Sequence, residues 1–440
     1  RPPRETSMGM QAVGTPVLGD ATQASSRTMA VIGAGVGNVL EWYDFTVYAY
    51  LAGTLGKLFF DSSNETAAVL ATFAVFGVGF VARPLGGILI GMFGDRYGRK
   101  PALLLTFGMI AVSTGVVGLL PTYASIGLAA PILLVIARLA QGISAGGEWG
   151  GAASFLVEWA PPKRRGLFGS MHPCAICIGQ LIGAGVTAGL TTALGTEAMT
   201  QWGWRVPFLI GALVAPIGFL VRQRIHETPA FREAVIEHAP AVPAPSFSMG
   251  RAMVLAFSFP VLQSVLTYVF LSYFPTFGQR YLGMTASAAL WSTVLATAIM
   301  GASSLASGAL SDRYGRRACL LTSCGLSLVL AYPMLKMMIG APVGEIVLLH
   351  AAFAAINGVF LGALASALVE LFPTARRMTG LTTAYNLQSM LFGGFAPFIA
   401  AWLIATTGAP ISLAFFIIFG AVLSGVAVLN LRETAHESLA

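Results

Sequence analysis

Charge is what this sequence has least of. Lys, Arg, Asp and Glu make up 10% of the 440 residues, against about 25% in soluble domains, while 56% are hydrophobic. A water-soluble fold is excluded. Cysteine is scarce as well: Cys174, Cys177, Cys319 and Cys324 all lie inside or at the edge of apolar segments, so no disulfide framework follows. The Cys174-Ala-Ile-Cys177 spacing lacks the βαβ pattern or second ligand pair of a redox or zinc motif, and reads as helix packing by small apolar side chains. There is no HExxH motif, nucleophile elbow, P-loop or haem-ligand pair, so no catalytic residue and no metal site is nominated. The formal charge of +7 does not point to nucleic acid, because the 25 basic residues fall in short clusters between apolar runs rather than along one face.

What is present is a series of apolar runs of about 20 residues or more, long enough to cross ~30 Å of hydrocarbon. Six are expected near 29–52, 66–91, 102–120, 131–159, 167–193 and 205–222, and six more near 251–277, 286–310, 318–338, 345–372, 378–405 and 411–431. The first is too long for a signal-peptide core and carries Glu41 and Asp44, so it reads as a retained span. Residues 1–28, rich in Gly, Ser, Thr and Pro, read as a disordered cytoplasmic tail, and 432–440 as a second, short one. The polar stretch 223–250, with Pro229, Pro240, Pro243 and Pro245, reads as a cytoplasmic linker between bundles at 29–222 and 251–431. With the amino terminus inside, Arg96, Arg99, Lys100, Lys163, Arg164, Arg165, Arg313, Arg316, Arg317, Arg376 and Arg377 fall in cytoplasmic loops. Outer loops then hold only Lys57, Arg205, Arg280 and Lys336, as the positive-inside rule requires.

The two sets of six repeat one another. Gly91-Met-Phe-Gly-Asp95-Arg-Tyr-Gly-Arg99-Lys100 follows the second run, and Gly308-Ala-Leu-Ser-Asp312-Arg-Tyr-Gly-Arg316-Arg317 follows the eighth. Glu158-Trp-Ala-Pro161 and the basic cluster after it close the fourth run, as Glu370-Leu-Phe-Pro373 and Arg376-Arg377 close the tenth. Corresponding motifs in two six-helix halves imply a pseudo-twofold transporter with its site at their interface. The doubled loop resembles the signature of the major facilitator superfamily. Further segments resemble its metabolite/proton symporter branch, which includes α-ketoglutarate, citrate, shikimate and proline/betaine carriers. They are Gly37-Asn38-Val-Leu-Glu41-Trp-Tyr-Asp44-Phe, Arg83-Pro84-Leu-Gly-Gly87, Arg138-Leu-Ala-Gln141-Gly142, Gly146-Gly-Glu148, Trp202-Gly-Trp-Arg205-Val-Pro207-Phe and Glu227-Thr-Pro229-Ala-Phe231. The resemblance implies an all-α membrane protein of twelve transmembrane helices in two six-helix bundles, the major facilitator fold.

Ionisable residues at membrane depth are costly and are functional candidates by default. Asn38, Glu41 and Asp44 share one face of the first span; Arg138, Gln141, Ala145 and Glu148 share one face of the fourth. Glu41 or Asp44 can load and release a proton once desolvated, and Glu41 is the expected coupling site, while Asp44 is expected to neutralise Arg83. Arg138 offers a planar fork suited to a carboxylate, or a permanent partner for Glu148 or a first-span acid. The resemblance also links its Arg-x-x-x-Gly sequence to proton coupling. Glu148, among glycines, reads as packing and charge balance, and His172 as a hydrogen-bonded packing residue. Gln180 is a cavity candidate. The second half offers Asn357, Tyr385, Asn386, Gln388, Gln263, Tyr268 and Tyr273, each as readily interhelical glue as a site residue.

The expected coupling set is therefore Glu41, Asp44, Arg83 and Arg138. The expected substrate set is Asn38, Glu41, Tyr48, Arg138, Gln141, Gln180, Tyr273, Asn357 and Asn386. Gating, as the resemblance implies, falls to Asp95, Arg96, Arg99, Glu158, Asp312, Arg313 and Arg316, making and breaking ion pairs as the bundles rock. The expectation is a monomeric transporter in a bacterial inner membrane with both termini cytoplasmic. It would use no cofactor beyond a coupling proton, with sodium an open alternative through hard oxygen ligands. Its substrate would be a small organic acid, or else a zwitterionic osmolyte such as proline or betaine. The long coiled-coil extension of the osmosensing carriers has no counterpart in 432–440. A membrane-embedded enzyme or sensor is the distant alternative.

Overall fold

The computed structural model describes residues 20–60, 65–223, 228, 248–437 and 439. Among these residues there are helices and no strands. The helices that build the molecule are α1 (Asp20–Tyr50), α2 (Glu65–Tyr97), α3 (Arg99–Leu119), α4 (Ala129–Trp159), α5 (Arg165–Ala198) and α6 (Arg205–Gln223). They continue with α7 (Met249–Tyr281), α8 (Ala286–Tyr314), α9 (Arg316–Met338), α10 (Val343–Val369), α11 (Thr374–Thr407) and α12 (Leu413–Leu429). Eleven of these stretches, from α2 onward, are long and apolar enough to cross a membrane; α1, with three polar residues on one face, packs against α4, α5 and α6 as the twelfth.

Several boundaries differ from the sequence expectation. The first helix starts at Asp20, so the expected tail of 1–28 is helical over its last nine residues, and residues 1–19 lie outside the described ones. Most of the linker, 224–227 and 229–247, is outside them too; Thr228 is within them and is pinned by a hydrogen bond to Glu158. The doubled motif is helix end rather than loop. Asp95 and Asp312 lie on the last turns of α2 and α8, and single glycines, Gly98 at φ 110° and Gly315 at φ 99°, turn the chain directly into α3 and α9. Only glycine adopts that backbone without a Cβ penalty, which is why the motif needs one there.

Close helix contact is made through small residues, as expected where apolar burial alone does not bring helices together. A Cβ on Gly86, Gly142 or Gly146 would collide with the facing backbone of the α2–α4 pair, and one on Gly358 or Gly362 with α8 across the α8–α10 pair. Contacts between the halves run along α2–α11 and α5–α8. A continuous apolar core reaches across them, from Phe45, Phe80, Trp149 and Ile176 to Tyr268, Leu364 and Tyr385. Two helices at this junction are irregular: α7 breaks at Pro260 and holds a π-helical turn at Tyr268–Tyr273, and α11 holds one at Met390–Gly394. Such turns shift side-chain register locally and favour functional positions.

Candidate functional site

Two buried ion pairs leave α1 in parallel. Asp44 accepts from Arg138 Nη1 at 2.9 Å, and that nitrogen also donates to Gln141 Oε1 at 2.6 Å, while Gln141 donates to Thr114. Arg138 further stacks over the Tyr48 ring at 3.8 Å. Glu41 accepts from Arg83 Nη2 at 3.3 Å, and the Arg83 guanidinium lies over Phe80 at 4.4 Å and Phe45 at 4.8 Å. All four charged side chains are buried. The expected Asp44–Arg83 pair is thus replaced by Asp44–Arg138 and Glu41–Arg83. Asp44 sits almost one turn beyond Glu41, level with α4 rather than with α2. Glu148 does not reach Arg138 either: it accepts a hydrogen bond from Thr106 of α3.

Beside the Glu41–Arg83 pair, a cavity opens between the halves. Its walls are Trp42, Trp149, Tyr268 and Tyr385, joined by His172, Gln180, Gln263 and Thr267. Trp149 of α4 stacks on Tyr385 of α11 at 3.8 Å, and His172 meets Trp149 edge-on at 4.8 Å. Gln180 Oε1 and His172 Nε2 are buried with no hydrogen-bond partner, an arrangement costly unless something else supplies one. No Lys or Arg lines this space.

The cavity is sealed toward the end that carries the doubled motif. Asp95 of α2 accepts from Met378 N at 3.1 Å and Thr379 N at 2.9 Å, in the first turn of the regular helix of α11. In the same way Asp312 of α8 accepts from Gly166 N at 2.7 Å and Leu167 N at 2.9 Å, in the first turn of α5. An acid at a helix start complements its dipole and its unpaired N–H groups. Behind each Asp stands a buried network: Asp95–Arg99–Glu158, with Arg377 and Thr228 also on Glu158, and Asp312–Arg316–Glu370, with Thr434 also on Glu370. Arg99 also donates across the halves to Thr374 O at 2.7 Å.

Of the expected substrate residues, only Gln180 lines the cavity. Tyr48, Arg138 and Gln141 form the Asp44 cluster, and Asn38 and Glu41 stay buried on α1 outside the lining. Asn357 stands behind the wall, donating to Thr267 at 2.8 Å. Asn386 ties α11 to Gly146 O of α4, and Tyr273 packs on Phe277; neither lines the cavity. His172 is a wall residue instead of a hydrogen-bonded packing one. Arg96 and Arg313 lie exposed over Tyr97 and Tyr314 and take no part in the ion-pair networks, unlike the other gating residues. Sequence reasoning missed Trp42 and Trp149, although each directly follows a nominated acid, Glu41 and Glu148. It also missed the Glu433-Thr434 repeat of Glu227-Thr228, whose threonines make equivalent bonds.

The comparisons agree with this architecture. A proline/betaine transporter of Salmonella typhimurium is 33% identical over 96% of this chain and 87% of its own length. A citrate-proton symporter of Klebsiella pneumoniae is 36% identical over 98% of each chain. An ectoine/proline transporter of Corynebacterium glutamicum is 35% identical over 93% of this chain and 85% of its own. Among solved structures, the proton:xylose symporter XylE bound to 6-bromo-6-deoxy-D-glucose shares the fold, with a TM-score of 0.78 at 19% identity, covering 95% of this chain and 98% of that one. With the superfamily's sequence profile matching residues 34–335 and 273–440, the chain belongs to the Major Facilitator Superfamily.

Proposed function

We propose that the protein is a proton-coupled symporter that takes up a small carboxylate-bearing metabolite by alternating access around the cavity between its halves. The observation that carries this reading is the Glu41–Arg83 pair, a titratable acid and a carboxylate-binding cation placed together behind Trp42 of the cavity wall. A proton, rather than sodium, is taken as the coupling ion, because Glu41 already spends an oxygen on a guanidinium. The protein acts as a monomer in a bacterial inner membrane, with its termini and the sealed end on the cytoplasmic, Arg-rich side.

A second reading is favoured by the four aromatic walls. Trp and Tyr faces attract cationic nitrogen, so a zwitterion such as proline or betaine would place its ammonium among them and its carboxylate toward Arg83. The relatives transport both kinds of solute by name. Reconstituted vesicles test the two together: citrate, L-proline and glycine betaine are offered with an inward-directed pH gradient in sodium-free medium. Concentrative uptake of one of them, abolished by an uncoupler, is expected. Uptake that persists with the gradient collapsed, or that needs sodium, overturns proton coupling.

A further inference from the structure

We infer that Arg83, rather than Arg138, anchors the substrate's carboxylate, and that a proton arriving on Glu41 is what releases Arg83 to do so. The inference rests on the proposed carboxylate symport. The two arginines of the parallel pairs are held very differently. Arg138 is matched by Asp44 at 2.9 Å, Gln141 at 2.6 Å and the Tyr48 face at 3.8 Å. Arg83 meets Glu41 at 3.3 Å, longer than the roughly 2.7–2.9 Å of a good charge-assisted bond. Phe80, Phe45 and Trp42 fix its plane without neutralising it. One of these rings, Trp42, is itself a cavity wall, and Tyr268, the wall beside it, packs edge-on against Phe80 at 5.5 Å.

Glu41 is faced from several helices. Arg83 comes from α2, and the Tyr268 and Tyr385 hydroxyl rings of α7 and α11 feel both charges of the pair. From α4, Arg138 is engaged by Asp44 and Glu148 by Thr106. His172 of α5 is turned onto Trp149. Arg83 is the cation paired with Glu41. When Glu41 takes a proton it becomes neutral, its bond to Nη2 loses charge assistance, and an incoming carboxylate replaces it on the guanidinium. One proton and one carboxylate enter together, and the charge at the pair is unchanged. Coupling then needs no signal carried between separate sites, since proton and substrate meet on one side chain.

The test is binding to the detergent-solubilised full chain, with citrate, L-proline and glycine betaine as probes, by calorimetry in two buffers of different ionisation enthalpy. The wild type is expected to take up one proton with the bound probe and to lose affinity about tenfold per pH unit where Glu41 is ionised. Glu41→Gln should bind with no proton uptake and a flat pH profile. Arg83→Lys should weaken binding about 5- to 150-fold, and more than Arg138→Lys does. Binding without proton uptake in the wild type, the same uptake in Glu41→Gln, or a larger loss at Arg138 overturns the inference alone. If Glu41→Gln does not survive solubilisation, the two lysine variants decide. Failure of all three probes to bind overturns the proposed substrate class and the inference with it.

Discussion

Arg138 illustrates how much a buried charge depends on its partner. Removing it by Arg138→Ala leaves Asp44 charged and buried, at a cost of about 3–5 kcal/mol, whereas the double variant Asp44→Asn/Arg138→Gln should lose much less. Thermal unfolding in detergent of Asp44→Asn, Arg138→Gln and the double variant measures the difference, and losses that simply add would show that the pair is not coupled. Glycine gives a second contrast. Gly146→Ala places a methyl against the Arg83 carbonyl and 2.8 Å from Gly87 N, so it should cost about 1–3 kcal/mol by forcing α2 from α4. Gly185→Ala, with nothing within 4 Å, should be neutral or slightly stabilising in the same assay. That Asn38, Glu41 and Asp44 share a face is legible from helical spacing alone. Which arginine each acid meets is not, because the choice between α2 and α4 depends on the rotation of three packed helices. The cavity walls are hidden for a similar reason: Trp149 reads as an ordinary apolar position, and Tyr385 as one polar residue among several, until α4 and α11 are set side by side.

The helix ends carry the gate. Asp95 and Asp312 each hold two N–H groups of a helix in the opposite half, so Asp95→Asn, which keeps an acceptor but removes the charge, should weaken the seal by about 0.3–2 kcal/mol. That corresponds to a roughly 2- to 30-fold shift toward the state open at the Arg-rich end. A cysteine placed by Gln180→Cys, after replacement of the four native cysteines, should then react faster with a reagent supplied from that side. Unchanged labelling would leave Asp95 without a gating part. Thr228 and Thr434 make matching bonds to Glu158 and Glu370, and Thr228→Val and Thr434→Val should therefore change that labelling rate in the same direction. Opposite effects would show that the two networks are not functional equivalents. The doubled Asp-Arg-Tyr-Gly-Arg pattern makes the equivalence of α2 and α8 readable in advance. The threonine repeat escapes because two residues, Glu-Thr, are too short a signal without the geometry that pairs them.

The twelve spans, the two halves and the superfamily follow from apolar run length and the repeated motif, features that survive uncertainty of a few residues at each end. The interface between the halves has a property of its own. The acid at the end of α2 grips the start of α11, and the acid at the end of α8 grips the start of α5, with α2 corresponding to α8 and α5 to α11. Each half thus offers the other the same pair of surfaces, a donor end and an acceptor end, as the subunits of a twofold-symmetric dimer do. Such surfaces carry their own instructions for assembly and do not require a covalent tether. Two separate polypeptides, one ending and the other beginning within residues 229–247, should therefore find each other when made in the same cell, co-purify through a tag on either one, and restore uptake that neither supports by itself.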